Sequence, residues 1–440
     1  MSRGGTFERE FDLGTHTIQM YDGKGAPMLD RRFVRDHPEA VKAGVAAKGY
    51  DTSLVDDLLV VEAALRDLET ELSRLQQQRK HAAAARDVEL GRSLRARAGE
   101  LEDRVRESED EVRTVLGKIP NLPFDDVPVG PGETANRVIR HSGEPPAFAF
   151  EPKDHLALAE ALDLYDFRCG AKVAGSKFYF TRNEAVMLEL GLLSYVTQKL
   201  TARGYAPAMT PDMARSELYL GTGYLPRGDE AQTYVIEAED LGLIATAEVT
   251  LAGQFAHEVL DESELPLRFM GISHAFRREQ GAYGRYSHGL YRVHQFTKAE
   301  LFAFCRPEDS QDLHEELLTI EEEIYQELEL PYRVVEMGTG DLGGMAARKF
   351  DIEAWMPGRG DYGEITSTSN CTDYQARNLD VRFRRGDGRI EHVHMVNGTA
   401  IAMSRVPIAL LEVHQQEDGS IRLPEVLWPY TGFGEIRRSG

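Results

Sequence analysis

The sequence predicts an α+β protein: an N-terminal antiparallel coiled-coil helical hairpin, followed by a domain built on a mostly antiparallel β-sheet flanked by helices. The hairpin is predicted because apolar residues recur with a period of 3.5 in two stretches separated by a short break. The sheet is predicted because, beyond residue 150, β-like runs such as 333–336 and 350–355 lie at irregular spacings without a repeated βαβ unit.

The first apolar seam runs from Leu54 to Leu75 and the second from Leu94 to Ile119, both with alternating spacings of three and four residues. The stretch 80–91 breaks the pattern. Each seam needs a partner, so we expect the two helices to pack on each other, the first reaching about 40 Å. Prolines at 120, 123 and 128 then end the second helix and begin a linker.

The remaining elements follow the linker. Helical patterns at 154–164 and 183–203 precede β-like runs at 233–236, 333–336, 350–355 and 381–384. A chain of 440 residues with 42% hydrophobic and 28% charged residues is long enough for two or three globular domains. No apolar run approaches the roughly 20 residues of a membrane span, so we expect a cytoplasmic protein with no membrane contact.

Charge and cysteine usage exclude several classes of site. The 51 basic residues stand against 73 acidic ones, a net charge of −22, so bulk attraction cannot hold nucleic acid. The exception is the stretch 74–97 at the hairpin tip, where seven basic residues face two acidic ones. Two interpretations stay open there, a solvated coiled-coil surface or a nucleic-acid contact.

Three widely spaced cysteines exclude a disulfide framework and a Cys-x-x-Cys metal site.

Two segments imitate phosphate-binding loops. Residues 170–177 read GAKVAGSK, but the serine precedes the lysine, and no buried strand stands upstream. Residues 338–343 read GTGDLG, but a strand-like run follows too soon for the helix that a dinucleotide site requires, so we expect a glycine-rich turn. His392 and His394 alternate on one strand without nearby cysteines, which does not favour a metal site.

Charged segments in the second half carry the candidate chemistry. Arg277 and Glu300 lie on strands flanking a glycine-rich loop, and Arg405 opens an apolar helix where anions are favoured. Together with the oxygen donors Glu364 and Ser367, the two arginines are consistent with a magnesium-dependent nucleoside triphosphate site outside the phosphate-loop families.

In their order along the chain, these segments resemble the three motifs of class II aminoacyl-tRNA synthetases, and specifically the seryl-tRNA synthetase family. The resemblance begins near Met28 and includes IPNLPFDDVPVG, TAEV, FRREQGAYGRYSHGLYRVHQF, SNCTDYQAR and NGTAIAMSR. It implies three parts: an extension of unknown role at 1–27, a tRNA-binding arm domain at 28–125 and a catalytic domain at 126–440. It also implies a cytoplasmic homodimer that activates L-serine with ATP and charges serine tRNA, and it leaves selenocysteine tRNA open as a substrate.

The resemblance assigns the following roles. Catalysis falls to Arg277 at the α-phosphate of ATP and Arg405 at the γ-phosphate. Mg²⁺ is assigned to Glu364 and Ser367. Residues implied in ATP binding are Arg277, Arg278, Glu279, Val293, Phe296, Glu364, Ile365, Thr366, Ser367 and Arg405. Residues implied in the serine pocket are Thr246, Ala247, Glu248, Glu300 and Thr399. The tip residues implied in binding the long variable arm of the tRNA are Arg74, Arg79, Lys80, Arg86, Arg92 and Arg95.

The departures from the family pattern cluster at Arg278, Gln280 and His288, so contacts to the tRNA acceptor end are the weakest part of the assignment.

Two other functions are alternatives: a non-catalytic relative that binds tRNA or protein, and a ligase that loads a carrier protein. Intact Arg277, Glu364 and Arg405 argue against the first. The long hairpin argues against the second.

Overall fold

The computed structural model describes residues 29, 31–224, 233–279 and 289–438. The extension 1–27 and loop positions Gln280 and His288 lie outside these residues. In the described residues the α-helices are α1 Arg31–Asp36, α2 Pro38–Ala47, α3 Ser53–Ala84, α4 Val88–Leu116, α5 His155–Leu162, α6 Phe167–Ala174, α7 Glu184–Ala202, α8 Ser216–Thr222, α9 Glu248–Gly253, α10 Ser310–Glu327, α11 Tyr374–Leu379, α12 Val406–Val413 and α13 Trp428–Thr431. The strands are β1 Arg137–Ser142, β2 Tyr165–Asp166, β3 Phe180–Thr181, β4 Ala206–Met209, β5 Met213–Ala214, β6 Tyr234–Val235, β7 Gly242–Leu243, β8 Val259–Asp261, β9 Leu267–Phe276, β10 Gln295–Cys305, β11 Tyr332–Glu336, β12 Arg348–Met356, β13 Asp361–Asn370, β14 Arg382–Arg384, β15 Ile390–His392, β16 His394–Ala402, β17 Ile421–Arg422 and β18 Glu435–Ile436.

The predicted hairpin is confirmed, with helices α3 and α4 packed antiparallel. Near the tip Leu75 packs with Leu94 and Leu101, and near the base Leu58 packs with Val112. The predicted break of twelve residues was too long, since only residues 85–87 separate the helices. Helix α3 continues through an alanine-rich stretch that favours helix, and its Ala82 extends the seam with a small buried side chain. The turn then needs only a left-handed residue, Arg86, and the helix cap of α4.

The arm base joins the hairpin to short helices at its root. Phe33 and Val34 of α1 and Val41 and Val45 of α2 share one buried cluster with seam residues of α3 and with Ile119. The two long helices therefore start from a small globular base, which fixes their direction.

The second part is built on an eight-stranded sheet in the order β1-β11-β12-β13-β16-β10-β9-β4. All neighbouring strands pair antiparallel except β4 and β9, which confirms the predicted mostly antiparallel sheet. Helix α10 covers one face of the central strands, burying Leu317, Ile320 and Ile324 in the main hydrophobic core. The opposite face of the same strands is left for polar side chains.

One irregularity of the sheet matters for the site. The register between β12 and β13 shifts, so that Ile352 pairs with Thr366 but Glu353 pairs with Glu364. The extra residue, Ile365, is a β-bulge, and it lets Glu364 and Ser367 share one face although they are three residues apart. Without the bulge, the two side chains would point to opposite faces.

The phosphate-loop imitations are ordinary parts of this fold. Gly170 lies inside the short helix α6, and the 338–343 segment is a 3₁₀ turn between β11 and β12. His394 Nδ1 lies 2.9 Å from the Ser310 hydroxyl in a buried contact. Among the described residues, no group of three or more histidine, cysteine or acidic side chains could hold a metal ion, and no helix is long and apolar enough to cross a membrane.

Candidate active site

The polar face of the sheet carries a cavity of about 260 Å³. Arg277 follows β9, Glu364 lies on β13 and Arg405 is the cap of α12, and all three side chains line this one cavity. The remaining lining residues from the sequence predictions are Glu248, Glu279, Val293, Phe296, Glu300, Ile365, Thr366, Ser367 and Thr399. The chain thus brings together charges that lie up to 157 residues apart.

Strand alternation explains how the sheet builds the cavity floor. On β10, Phe296, Lys298 and Glu300 are two residues apart and therefore face the same side. The neighbouring strand β16 contributes Asn397 and Thr399 in the same way. Gly398 between them faces α10, where a side chain would meet Glu321. The cavity is therefore the exposed half of a sheet whose other half is core.

Glu248, the first residue of α9, is a buried acidic group of the cavity. Its Oε1 accepts hydrogen bonds from Gln375 Nε2 at 2.6 Å and from Asn397 Nδ2 at 3.0 Å. Its Oε2 accepts from the Tyr224 hydroxyl at 2.8 Å. Burial, aided by the nearby Glu300 carboxylate, raises the pKa of Glu248 to about 7 despite these donors.

Glu300 is the second buried carboxylate at this end. Its Oε2 accepts a hydrogen bond from the Thr246 hydroxyl at 2.9 Å and forms an ion pair with Lys298. Lys298 Nζ also donates to the Thr246 hydroxyl at 3.0 Å. Burial raises the pKa of Glu300, and the Lys298 charge opposes that rise. This end of the cavity is therefore a compact set of donors and acceptors suited to a small polar molecule carrying an amine.

The opposite end is cationic and aromatic. The guanidinium carbon of Arg277 lies 5.4 Å from the centre of the Phe296 ring. Beside them, Arg292 Nη1 contacts the Glu279 carboxylate at 3.2 Å, and buried Val293 adds apolar surface. An aromatic ring next to a cation offers one surface for a flat heterocycle and one for an anion.

Arg405 is held at the start of α12 by backbone groups. Its Nη1 donates to the Glu364 carbonyl at 2.6 Å, and its Nε donates to the Tyr291 carbonyl at 3.1 Å. The guanidinium carbon also lies 4.0 Å from the Tyr291 ring centre. These contacts fix the plane of the guanidinium while leaving it at the cavity wall, where an anion can reach it.

The bulged strand β13 places oxygen donors beside Arg405. The Glu364 carboxylate lies 3.6 Å from Arg405 Nη1, and Ser367 lies on the same face. Burial opposes ionisation of Glu364, but the combined charges of Arg405, Lys349 and Arg277, with Lys298, outweigh it and lower the pKa of the carboxyl group. Asp351 pairs with Ser367 across the strands, and its buried Oδ1 forms an ion pair with Lys349 Nζ at 3.4 Å. A carboxylate, a hydroxyl and a nearby second carboxylate fit the hard oxygen set that Mg²⁺ prefers.

Three predicted site residues do not line the cavity. Thr246 lies behind Glu300, and Ala247 packs against the strand at Gly271, so both support the wall from outside. Arg278 is exposed beside the undescribed loop. Sequence reasoning in turn missed several lining or supporting residues, which are Tyr224, Tyr291, Lys298, Lys349, Gln375 and Asn397. The strand alternation of 296, 298 and 300 could have indicated Lys298.

The candidate tRNA residues cluster around the three-residue turn of the hairpin. Arg79 and Arg86 line a groove of about 740 Å³ between the helix ends, together with Lys80. No ion pair is found for Arg74, Arg79, Lys80, Arg86, Arg92 or Arg95 with any described residue. Their charges are therefore not neutralised by the arm itself.

Comparisons with known proteins match both parts of the chain. Residues 28–123 match the seryl-tRNA synthetase N-terminal domain, and residues 234–414 match the tRNA synthetase class II core domain (G, H, P, S and T). The chain is 54% identical over 424 residues to the serine–tRNA ligase of Rubrobacter xylanophilus, covering 93% of this chain and 100% of that one. The chain belongs to the seryl-tRNA synthetase family.

Other members of the family agree with this assignment. The serine–tRNA ligase of Dictyoglomus thermophilum is 51% identical over 422 residues, covering 93% of this chain and 99% of its own. Among solved structures, the seryl-tRNA synthetase from Pyrococcus horikoshii complexed with ATP has a TM-score of 0.88 at 41% identity, covering 94% of this chain and all of that chain. The cytoplasmic serine–tRNA ligase from Naegleria fowleri in complex with AMP has a TM-score of 0.84 at 32% identity, with the same coverage.

Proposed function

We propose that the protein activates L-serine with ATP to seryl-adenylate and transfers serine to the 3′-OH of the terminal adenosine of serine tRNA. The observation that carries the proposal is the convergence of Arg277, Arg405 and Glu364 on one cavity whose other end holds Glu248 and Glu300. One end suits a triphosphate and the other a small amino acid, so the cavity can hold both reactants of the first step.

Activation is an in-line attack of the serine carboxylate on the α-phosphorus of ATP, which breaks the bond to the β-phosphate and releases pyrophosphate. The protein's task is to position the two reactants and to neutralise the charge that develops on the phosphoryl oxygens. We assign the α-phosphate to Arg277 and the γ-phosphate to Arg405, with the adenine ring on Phe296 and the Val293 backbone at its edge. The 5.4 Å approach of Arg277 to Phe296 supports this, because it places a cation beside the ring that would hold the base.

A divalent cation fits beside the triphosphate. We assign Mg²⁺ to the Glu364 carboxylate and the Ser367 hydroxyl, which the β13 bulge brings to one face. A cation held by these two residues would supply positive charge to offset that of the phosphate groups. The charges of Arg405 and the neighbouring Lys349 and Arg277 together favour the ionised form of Glu364, which is the form that binds a cation.

Serine is assigned to the acidic end of the cavity. Glu300 and Thr399 would hydrogen-bond the serine hydroxyl, and Glu248 would bind the ammonium group, with Thr246 and Ala247 supporting this wall. A pocket built to bind a hydroxyl rejects alanine by roughly 10⁴ or more, because its own buried groups would be left unpaired.

We assign tRNA recognition to residues 28–125 and catalysis to residues 126–440. The unpaired cations at the hairpin tip support contact with the long variable arm of serine tRNA, since they lie far from the acidic body. A homodimer is supported by exposed apolar residues on α7 and the edge strand β4, among them Leu190 and Met209. We also assign the enzyme to the cytoplasm, as a compartment in which serine tRNA is charged.

Serine-dependent exchange of pyrophosphate into ATP tests the activation step. Arg277→Ala should abolish exchange, whereas Arg389→Ala should leave it unchanged, because among the described residues exposed Arg389 pairs with exposed Asp387 and partly exposed Glu391 only. Exchange that survives in Arg277→Ala would contradict the assignment of the α-phosphate to this residue.

Aminoacylation of serine tRNA tests the arm. Deleting residues 74–97, or reversing the charges of Arg79 and Lys80 to Glu, should abolish charging while exchange is retained. Arg106→Glu is the matched control, since Arg106 lies on the same hairpin outside the tip, next to Asp103. Charging that survives the tip variants would refute the role of the arm. Comparing the charging of serine tRNA with and without its variable arm shows whether the hairpin tip contacts that arm.

A further inference from the structure

One wall of the cavity is held by the arm base rather than by the catalytic sheet. This wall segment (residues 342–347) connects the 3₁₀ turn after β11 to β12, and Leu342, Met345 and Ala346 line the cavity. Five consecutive carbonyl groups, from residue 343 to residue 347, accept hydrogen bonds from the N-terminal part of the chain. These hydrogen bonds fix the conformation of the wall segment. Its position therefore depends on the N-terminal part of the chain.

Two side chains supply most of these donors. Lys48, at the end of α2, donates from Nζ to the carbonyls of Gly343 at 3.0 Å and Ala346 at 2.6 Å. Asn121, after α4, donates from Nδ2 to the Met345 carbonyl at 2.9 Å and from its backbone to Gly344 at 2.8 Å. The Phe124 amide completes the set by donating to the Ala347 carbonyl at 3.0 Å.

Both side chains are deeply buried, with 4% of each residue exposed. Burial lowers the pKa of Lys48 to about 7, and no carboxylate forms an ion pair with it among the described residues. An ammonium removed from water without a counter-ion costs several kcal/mol, so a plain packing role would be served better by an apolar residue. The hydrogen bonds from Lys48 Nζ to two carbonyl groups compensate for part of that cost.

The wall segment is connected to the acidic end of the cavity by side-chain contacts. Gln375 Nε2 lies 3.6 Å from Met345 Sδ and 2.6 Å from Glu248 Oε1. A second route runs from Asn121 Nδ2 to the Cys371 carbonyl at 2.9 Å, and from Cys371 Sγ to Asn397 Nδ2 at 3.6 Å. Asn397 then donates to Glu248 Oε1. Both routes end on the carboxylate that we assign to the serine ammonium group.

We propose that Lys48 and Asn121 are positioning residues for serine activation, which hold the wall segment so that Gln375 and Asn397 keep Glu248 in its binding orientation. The inference rests on the proposed function, because it takes Glu248 as part of the serine pocket. The arm base then has two tasks: it carries the tRNA-binding hairpin, and it completes the amino-acid site.

Lys48→Met tests the inference because it keeps the length of the side chain and removes both donors. Pyrophosphate exchange should show a KM for serine raised about tenfold, with the KM for ATP changed less than twofold. Lys42→Met is the matched control, since Lys42 lies on the same helix and contacts only exposed Asp56 and Glu39. Asn121→Asp, which replaces the Nδ2 donor by an acceptor of equal size, should raise the serine KM in the same way.

A merely structural role predicts a different result, in which the fraction of active enzyme falls while both KM values stay as in the wild type. That outcome, measured by titrating active sites through adenylate formation, would overturn the inference and leave the proposed function intact. A wild type without serine-dependent exchange would instead refute the proposed function.

Hydrogen exchange of the wild type gives a test that does not depend on folding of the variants. If the cavity and the arm base are coupled, binding of serine with ATP should slow exchange of the Asn121 and Phe124 amides, because these donate to the wall segment. Amides at the hairpin tip, such as that of Leu90, serve as the internal reference. Unchanged exchange at Asn121 and Phe124 would refute the coupling even if Lys48→Met failed to fold.

Discussion

The buried carboxylate of Glu248 should make serine binding depend on pH near neutrality. Its pKa is raised to about 7 by burial, and only the ionised form attracts the serine ammonium group. At pH 6, one unit below that pKa, about a tenth of the enzyme carries the charge, so the KM for serine should be about tenfold higher than at pH 8. The KM for ATP should not follow this change, because ATP is assigned to the opposite end of the cavity.

Glu248→Gln provides the control for this titration. Both amide donors point to Oε1, and only the Tyr224 hydroxyl contacts Oε2, so a glutamine can place its oxygen at the first position and its amide at the second. The tyrosine hydroxyl then accepts instead of donating. The variant should bind serine as weakly at pH 8 as the wild type does at acidic pH, and its KM should not change between pH 6 and pH 8.

Pyrophosphate exchange at saturating ATP, measured with varied serine at several pH values, checks the expectation. The other titratable groups facing Glu248 are Glu300 and Lys298 on β10, Tyr224 after α8 and Cys371 after β13. Burial raises the pKa of Tyr224 and Cys371 well above their ordinary values, so neither ionises in this range. If the dependence on pH persisted in Glu248→Gln, the titrating group would be a residue other than Glu248, such as Glu300 or Lys48, and the reasoning would be refuted.

The titration of Glu248 affects stability in the opposite direction to serine binding, because its contribution to stability is greater at acidic pH. Between pH 4.5 and about 7 the native state binds more protons at Glu248 than the unfolded state does. This contribution to the free energy of unfolding therefore falls as the pH rises through that range. Loss of serine binding at pH 6 should accordingly occur without unfolding, which circular dichroism at each pH would verify.

Three further outcomes are expected. Arg405→Lys should lower the exchange rate about tenfold to a hundredfold, because lysine cannot keep both carbonyl contacts and still face the cavity; a rate within twofold of the wild type would contradict the assigned role. Gly398→Ala should cost about 1–3 kcal/mol in urea unfolding, since its Cβ would lie 2.4 Å from Glu321 Oε1, and adding Glu321→Ala should restore much of the loss. Leu65→Ala should lower the stability of the arm by about 2–5 kcal/mol, because Leu65 is buried in the helix seam, and thermal unfolding followed by circular dichroism would measure this.

The hairpin was predictable almost residue by residue because its pattern is local. Buried positions such as Leu58, Leu65 and Leu101 belong to the seams read from the sequence. The turn was misjudged for an equally local reason: beyond Leu75 the seam continues through Ala82, a small residue that the pattern of large apolar side chains does not reveal. Periodicity of large apolar residues therefore marks a shorter stretch than the packed helix.

The cavity was predictable only through the resemblance of whole segments to a family. Arg277, Glu364 and Arg405 meet because a sheet with crossed strand order brings distant segments together, and no local pattern encodes that order. The β-bulge at Ile365 is a further example, since it decides which face Ser367 occupies and leaves no mark in the alternation of side chains. Lys48 was missed because a single lysine at a helix end is ordinarily solvated.

The three-residue turn at the hairpin tip has a consequence for how such an arm can change in length. Helices of 32 and 29 residues meet side by side and are joined almost without slack. An insertion in one helix alone would slide its apolar side chains past those of the other and leave the turn unable to close. Growth or shortening must therefore occur in both helices at once, by about seven residues in each, which moves the basic tip by about 10 Å. The length of the arm can therefore change only in steps of about seven residues per helix. Relatives whose arms differ in length should differ by whole steps of this size.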